Sequence, residues 1–429
     1  MFEIQNYIIY IILKLMKVIF PSSINTNGEI KCYTDYCKKN WSFVSENDTK
    51  FLVPSDSLRE KEPSKLPVFF NPAAKYNRDI SIYIYKTFIN NNTKKNISFV
   101  DAMAGSGIRG LRVANEIPKI NRIYFNDFNI FSIHICKINA ILNNVYNKCN
   151  FYNKDICNFL STEFNFEKRA TIVDIDPFGT PAPYLDCVLR SVENGGLISV
   201  TATDTAVLCG VYPKVCYRKY YGNPLRTKYS GEMGIRLLVS SIALIASRLD
   251  LSIIPIFSHG YRNYMRVYCK VVKSNHLANK IQEKLGYVIH CFNCGNRYSL
   301  SKLYGITDCN NCHYRVTIGG PLWISEIFDK KIIGQIVESI EKVECEMGKS
   351  NLFLNNIKNF FTITLNELDV IPYHFINDEI GKILKKNVMG IDRIIELLNR
   401  NGYQSSPTIF ATSGFKTDAS IMDIKKIFH

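Results

Sequence analysis

The sequence has no internal repeat, which excludes a solenoid or another stacked array. It has no long low-complexity tract, so wholesale disorder is excluded as well. A dense cysteine framework is also missing. Of fourteen Cys, four fall into two C-x-x-C pairs and the other ten are scattered without a repeating spacing. Disulfide scaffolds are short and Cys-dense, so a reducing compartment with one metal site fits better. The early apolar stretch, residues 7–20, is broken by Lys14 and Lys17 and is too short and too charged to span a bilayer. No clean small-residue cleavage site follows it, so it reads as a local strand or helix, with a targeting role left open. Acidic residues are in deficit, 38 against 53 Lys and Arg, for a net charge of +15. A basic surface attracts phosphate backbones. The chain is also rich in Asn, Ile and Tyr, as an AT-rich genome encodes, so charge alone favours a nucleic-acid partner only mildly.

At 429 residues the chain is too long for one ordinary core, and two domains are expected. Between residues 97 and 272, short apolar runs alternate with helical patterns. The runs are 97–100, 122–125, 171–175, 196–200 and 252–257, and 266–272 reads as a final strand. Helical patterns lie at Ile130–Leu142 and 231–249. Such alternation predicts βαβ units in a doubly wound, mostly parallel α/β sheet, with ligands beyond the strands' carboxyl ends. After about residue 275 the Cys pairs arrive, then helical patterns at 331–348 and 391–400, which predicts a smaller α+β domain. The expected division is an N-terminal segment 1–66, a sheet domain 67–275 and a C-terminal domain 276–429.

Phe99 to Gly110 reads as a strand that ends in a glycine-rich turn and opens a helix: Asp101-Ala102-Met103-Ala104-Gly105-Ser106-Gly107-Ile108-Arg109-Gly110. Glycines such as Gly107 let the backbone pass close to a ligand, with helix amides facing it. The motif suits a dinucleotide, S-adenosylmethionine or a simple tight turn. Asp101 precedes the first glycine by four residues, a place where doubly wound methyltransferases keep an acid near the cofactor's amino-acid moiety. Asp127 ends the next strand, where a carboxylate can accept from ribose hydroxyls. A helix N-cap is an equal reading of Asp127 taken alone.

Residues 170–179 form the most informative run: a buried apolar strand that stops at Asp176-Pro177-Phe178-Gly179. Pro177 fixes the backbone, so a carboxylate and an aromatic ring are presented together. An exocyclic base amine is a poor nucleophile because its lone pair is delocalised into the ring. A carboxylate accepting its N–H bonds can localise that pair and take the proton. A ring can stack on the base and hold it in place. The alternative is an Asp-Pro turn with Phe178 in the core.

Cys291-Phe292-Asn293-Cys294 and Cys309-Asn310-Asn311-Cys312 have the spacing of a zinc ribbon or knuckle. Four thiolates fill tetrahedral Zn2+ and leave no open position, which implies a structural role. The stretch 212–229 interleaves Lys214, Arg218, Lys219, Arg226 and Lys228 with Tyr217, Tyr220 and Tyr221. It suits phosphate contact and stacking, or equally a solvated loop.

Taken in order, these motifs resemble the tRNA (guanine-N2)-dimethyltransferases that act on guanine 26. Val68-Phe69-Phe70-Asn71-Pro72 with Asn77-Arg78-Asp79 is similar to that family's N-terminal signature. The glycine turn, Asn126-Asp127, Asp155-Ile156, Asp176-Pro177-Phe178-Gly179-Thr180-Pro181 and Thr203-Asp204 follow it. Gly320-Pro321-Leu322-Trp323 and Gly414-Phe415-Lys416-Thr417-Asp418 carry the resemblance to about residue 420. Phe415 and Ser325 depart from the usual Leu and Gly, and the first ~65 residues match poorly. The resemblance implies a Rossmann-like methyltransferase sheet with a zinc-containing, tRNA-binding C-terminal domain. It implies Asp176 as the catalytic carboxylate, and Phe178 with Phe69 or Phe70 around the guanine. It implies Arg78, Arg109, Asp127, Asp155 and the Ile156 backbone as contacts to S-adenosylmethionine. The expected partner is tRNA, without a membrane or an obligate protein partner, in the nucleus or cytoplasm with an organelle also open. Competing readings are another nucleic-acid amino-methyltransferase, a nicotinamide-dependent oxidoreductase with structural zinc, and a non-enzymatic zinc-ribbon RNA-binding protein.

Overall fold

The computed structural model describes residues 41–59, 68–261, 263–347, 352–384 and 389–428. The apolar stretch 7–20 lies outside them.

The chain enters as a hairpin, β1 (Trp41–Glu46) and β2 (Thr49–Pro54), followed by helix α1 (Lys75–Asn90). Units of strand and helix follow: β3 (Ser98–Asp101), α2 (Ile108–Glu116), β4 (Arg122–Asn126), α3 (Ile130–Leu142), β5 (Cys149–Tyr152), α4 (Ile156–Glu163), β6 (Ala170–Ile175), α5 (Leu185–Ser191) and β7 (Val192–Ala202). Short helices α6 (Thr205–Leu208) and α7 (Pro213–Tyr220) precede the long α8 (Ser230–Ser247) and the strands β8 (Leu251–Tyr261) and β9 (Tyr264–Lys273). The seven strands pair in the order β5-β4-β3-β6-β7-β9-β8, with β9 antiparallel to both neighbours and the others parallel. β6 is buried at every position because helices cover both faces of the sheet, which is why its sequence reads as a continuous apolar run. The predicted runs at 97–100, 122–125, 171–175, 196–200, 252–257 and 266–272 all lie in these strands, allowing a residue at each end.

β5 was not legible in the sequence. It is four half-buried residues at the sheet edge, too short and too polar to stand out. The limits and packing of the hairpin of β1 and β2 were not legible either. Its Phe51 and Val53 join the main core, and Asn139 of α3 binds the Leu52 backbone through both its Oδ1 and its Nδ2. Cys157 of α4 and Cys187 of α5 form a disulfide with 5.5 Å between their Cα atoms. Neither cysteine belongs to a C-x-x-C pair, and no repeating spacing in the sequence marked them.

Beyond β9, β10 (Leu285–His290), β11 (Arg297–Leu300) and β12 (Thr317–Trp323) form a small antiparallel sheet that carries the Cys pairs. Helices α9 (Lys330–Met347) and α10 (Leu352–Asn366) then return to the main body. A last unit holds β13 (Phe375–Ile376), α11 (Asn377–Leu384), α12 (Ile391–Arg400), β14 (Ser405–Pro407), β15 (Gly414–Thr417) and α13 (Ile421–Phe428). The packing has no break at residue 275. Ile333, Ile336, Ile340, Ile357 and Phe361 from α9 and α10 belong to the same core as α1 and the large sheet, whereas the last unit has an apolar cluster of its own. The reason is compositional: α9 has a buried apolar face that the three-stranded Cys sheet is too small to cover. Among the described residues, α8 is the helix long and apolar enough to cross a membrane, and 72% of that window is buried inside the protein.

One ion cluster ties the last unit to α8. Lys416, fully buried on β15, contacts Glu232 of α8 at 2.6 Å and Glu367 at 3.0 Å. Arg236 pairs with Glu232 at 2.9 Å and donates to the carbonyls of Trp323 and Ser325. Burial alone would raise the Glu232 carboxyl pKa, but Lys416 and Arg236 override it and hold the group well below the usual carboxylate range. Breaking such a cluster strands buried charge. Lys416→Ala should therefore lower unfolding stability by about 3–5 kcal/mol, read as a shifted denaturation midpoint. A shift as small as that of an exposed lysine would contradict the role.

Candidate active site and metal centre

The chain runs from β3 to one side of the sheet through β4 and β5, and to the other through β6 and β7. The crevice at that reversal lies beyond the carboxyl ends of β3, β4 and β6, where doubly wound sheets bind ligands. A cavity of about 460 Å³ opens there. Its walls come from the β3–α2 turn (Ala102, Met103, Gly105), the end of β4 (Asn126, Asp127), the entry to α4 (Lys154, Asp155, Ile156) and the end of β6 (Asp176, Pro177, Phe178). Phe69 closes one side.

The glycine turn is held by sterics. Gly107 has φ +77°, and a Cβ there would sit 2.7 Å from Cys136 Sγ. Gly105 has φ +53°, and a Cβ there would crowd the Phe69 carbonyl at 3.2 Å. The Ser106 amide donates to that same carbonyl, so the turn and Phe69 move as one piece. Asp127 accepts from the Gly105 and Asn129 amides, each at 2.8 Å. Burial raises its pKa, and these two amides offset part of the shift. Each carboxylate oxygen keeps a second lone pair for a ligand hydroxyl. Asp155 caps α4 by accepting from the Cys157 and Asn158 amides through Oδ1, both at 3.0 Å, which leaves Oδ2 free of those bonds. The Ile156 amide lies in the first helical turn, where backbone donors have no intrahelical partner. The cavity volume, the close-approach turn and two carboxylates on successive strand ends fit a nucleoside with an amino-acid tail such as S-adenosylmethionine.

Asp176 is about one-third exposed and accepts from Arg109 Nη2 at 2.7 Å. Arg109 is buried. It also donates to Asn77 and Ser81 of α1, and its Nε lies 3.5 Å from Asp174. Asp174 is completely buried and takes bonds from Ser199 at 2.6 Å, from Tyr85 and from Arg266. Phe178 is 65% exposed at the rim, and its ring meets Phe69 edge-on with centroids 4.7 Å apart.

Of the predicted site residues, Phe69, Asp127, Asp155, Ile156, Asp176 and Phe178 share the cavity wall. Asp101, Gly107 and Arg109 stand behind it. Phe70 is 2% exposed, under the Arg78 guanidinium at 5.6 Å, so Phe69 is the ring that the structure brings to Phe178. Arg78 is not at the cavity wall. Its Nε and Nη2 hold Glu46 of the hairpin, a partner the sequence did not suggest. Sequence reasoning gave no role of its own to Asn126, which ties the end of β4 to the β3–α2 turn through the Ala102 carbonyl and to the α4 entry through the Lys154 backbone. It also passed over Asp174 and Arg266. An acid two residues before Asp176 in an otherwise apolar strand was the available signal.

The sulfur atoms of Cys291, Cys294, Cys309 and Cys312 all lie within 4.8 Å of one another. Cys291 and Cys312 are 3.5 Å apart, and Cys294 and Cys309 are 3.7 Å apart. A ZnS4 tetrahedron with 2.3 Å bonds has edges of about 3.8 Å, so the set fits Zn2+. The Asn293 side chain and the Tyr314 amide bring the Cys312 thiol down to about 6, which favours the ligating thiolate.

Two outcomes follow. Cys291→Ser or Cys309→Ser should lose the one equivalent of zinc measured by elemental analysis and lower the melting temperature. Full zinc content in either variant would remove these ligands from the site. Asp101 is raised to about 7 by burial first and by the Asp174 charge second, against the pull of Arg109. A raised acid contributes stability that is complete below its unfolded pKa and lost as pH climbs to the folded one. Wild type should therefore lose melting temperature relative to Asp101→Asn between about pH 4 and 7, with no further divergence above. Parallel curves across that window would refute the protonated state of Asp101.

The sequence model of the family described as N2,N2-dimethylguanosine tRNA methyltransferase matches residues 48–429. The tRNA (guanine(26)-N(2))-dimethyltransferase of Methanothermobacter thermautotrophicus is 31% identical over 90% of this chain and 97% of its own length. The Aquifex aeolicus tRNA (guanine(26)-N(2)/guanine(27)-N(2))-dimethyltransferase is 30% identical over 89% of this chain and 94% of its own. Among solved structures, Trm1 from Pyrococcus horikoshii with S-adenosyl-L-methionine superposes with a TM-score of 0.76 at 28% identity, covering 90% of this chain and 99% of that one. The glycine turn, the two strand-end carboxylates, the Asp-Pro-Phe edge and the four thiols lie within the matched region, and the chain belongs to the N2,N2-dimethylguanosine tRNA methyltransferase family.

Proposed function

We propose that this protein transfers methyl groups from S-adenosylmethionine to the exocyclic N2 of guanine 26 in tRNA, giving N2-methyl- and N2,N2-dimethylguanosine. The observation that carries the reading is Asp176 beside Phe178 at the end of β6, on the same cavity wall as Asp127 and Asp155. When bound, S-adenosylmethionine supplies an electrophilic methyl group on a sulfonium. Asp127 would hold ribose hydroxyls, and Asp155 with the Ile156 amide would hold another part of the nucleoside. Asp101, Gly107 and Arg109 would shape the side nearest the amino-acid tail, and Arg78, whose Nε and Nη2 are taken by Glu46 and the Asn71 carbonyl, would reach its carboxylate only through Nη1.

Asp176 accepts the N–H bonds of the guanine amine, sharpens its lone pair and takes the proton as the C–N bond forms. Arg109 Nη2 holds that carboxylate at 2.7 Å, on the cavity wall. Phe178 and Phe69 receive the base. Their edge-on contact must open for a planar ring to enter between them. The zinc site has no open coordination position and holds the C-terminal sheet, which is proposed, with the rest of residues 276–429, to contact tRNA. A tRNA substrate puts the protein inside the cell, in the nucleus, cytoplasm or an organelle.

The test is methyl transfer from labelled S-adenosylmethionine to unmodified tRNA, followed by nucleoside separation. Label should appear in N2-methyl- and N2,N2-dimethylguanosine at position 26. Asp176→Ala should lose about 10²–10⁴-fold in turnover while cofactor affinity changes by less than a few-fold. Label in a methylated adenine or cytosine would move the pocket assignment to another base. Equal loss of cofactor binding would remove Asp176 from the base-side role.

A further inference from the structure

We propose that the exposed face of α7, formed by Lys214, Tyr217, Arg218 and Tyr221, is the surface on which the substrate tRNA lays its phosphate backbone and an unstacked base beside the target guanine. The inference rests on the tRNA reading above and adds to it the place of contact.

The spacing is i, i+3, i+4 and i+7, which puts two cations and two aromatics on one side of a helix. The same helix buries Cys216 and Tyr220 on its other side, so the division between faces is complete. Tyr217 is 55% exposed and Tyr221 47%, and Lys214 and Arg218 are exposed with them. From residue 205 to 231 the chain carries five cations and no acid. Only Lys219 reaches a carboxylate, Asp204 at 3.6 Å; among the described residues Lys214 and Arg218 pair with none. An ordinary solvated helix face carries both signs. This one presents a single sign, and its charges are free to meet phosphate.

Tyr221 adds an independent observation. It ends α7 at φ +58°, in the left-handed region that favours glycine at a helix end. A large ring there is neither conformationally favoured nor recovered by burial. A base stacking on it would use the exposed face.

The face is also registered to the catalytic loop. Tyr220 bonds Thr180 at 2.8 Å and Asp204 at 2.6 Å. Thr203, next to Asp204, brackets Gly179: the Gly179 amide donates to Thr203 Oγ1 at 2.6 Å, and the Thr203 amide donates to the Gly179 carbonyl at 2.8 Å. Gly179 and Thr180 directly follow Phe178. RNA held on α7 is thus one buried tyrosine and two residues away from the ring proposed to receive the guanine.

The experiment compares full-length wild type with Lys214→Ala/Arg218→Ala and Tyr217→Ala for binding to an unmodified tRNA transcript across salt, with methylation kinetics in parallel. The double variant should bind about tenfold or more weakly near 0.1 M salt, and its slope of log affinity against log salt should fall by about 1.4–1.8, two phosphate contacts' worth. Its KM for tRNA should rise while kcat at saturating tRNA and affinity for S-adenosylmethionine stay unchanged. Tyr217→Ala should weaken binding about 5–100-fold with the slope intact, and Tyr217→Phe should restore it. Lys214→Arg/Arg218→Lys should bind as wild type does. Unchanged affinity and slope in the double variant, with wild type methylating tRNA, would overturn the surface. So would equal weakening in the charge-preserving variant. A wild type that methylates no tRNA would overturn the function instead.

Discussion

The site depends on a ladder of four buried or half-buried charges that alternate in sign. Arg266 on β9 meets Asp174 on β6, Asp174 lies 3.5 Å from Arg109 on α2, and Arg109 holds Asp176 at 2.7 Å. Charges taken out of water need partners with good geometry, or the loss of solvation is unrecovered. Here each inner member is bracketed by opposite charge, Tyr85 and Ser199 donate to Asp174 Oδ2, and Asn77 and Ser81 accept from Arg109. The ladder therefore fixes α1, α2, β6, β7 and β9 relative to one another. Its outer end, Asp176, is the only rung that meets solvent to any extent. The carboxylate presented to the cavity is aimed from the core outward, not by the loop on which it stands.

A second charged cluster does a different job. Glu232, Arg236, Lys416 and Glu367 join α8 to the C-terminal unit and share no residue with the ladder. α8 is one element through which the two halves meet. It packs on β8 and also against β12, whose Gly320 pairs with Asn223 just ahead of α8. The zinc knuckle hangs from that same small sheet. Metal bound there would stiffen the C-terminal half, while the cavity on the large sheet has its own support.

How much of this was legible follows from the kind of signal each part leaves. The central strands and the helices at Ile130–Leu142 and Ile391–Arg400 announced themselves because burial on both faces, or a sharp apolar stripe, writes directly into residue order. The four cysteines were legible because tetrahedral ligation needs fixed spacing. β5 left no such mark, being short, polar and at an edge. The packing across residue 275 left no mark for a related reason. Composition changes at about residue 275, but α9 and α10 come back to cover the first core, and a contact made across some 250 residues has no local signature. The choice between Phe69 and Phe70 was likewise open, since adjacent residues differ in direction and only the fold says which one faces Phe178.

The Asn77-Arg78-Asp79 run shows the same principle at its sharpest. Three consecutive polar side chains on α1 are all nearly buried, and each holds a different partner. Asn77 receives Arg109, Asp79 receives Arg112 at 2.6 Å, and Arg78 grips Glu46. Arg112 also reaches Glu46 at 3.1 Å, so a single glutamate from the hairpin is shared by two guanidiniums. Burial would raise the Glu46 carboxyl pKa, but Arg78 and Arg112 together lower it. The hairpin thereby closes the charge balance of α1, a role that a poor sequence match at the N-terminus gave no reason to expect. Arg78 engages Glu46 and the Asn71 carbonyl through Nε and Nη2. Those bonds set the plane of the guanidinium, and a planar fork with a fixed plane can recruit a further carboxylate only from its remaining Nη1 edge. Whatever Arg78 does for a cofactor, Glu46 decides the direction from which it can do it.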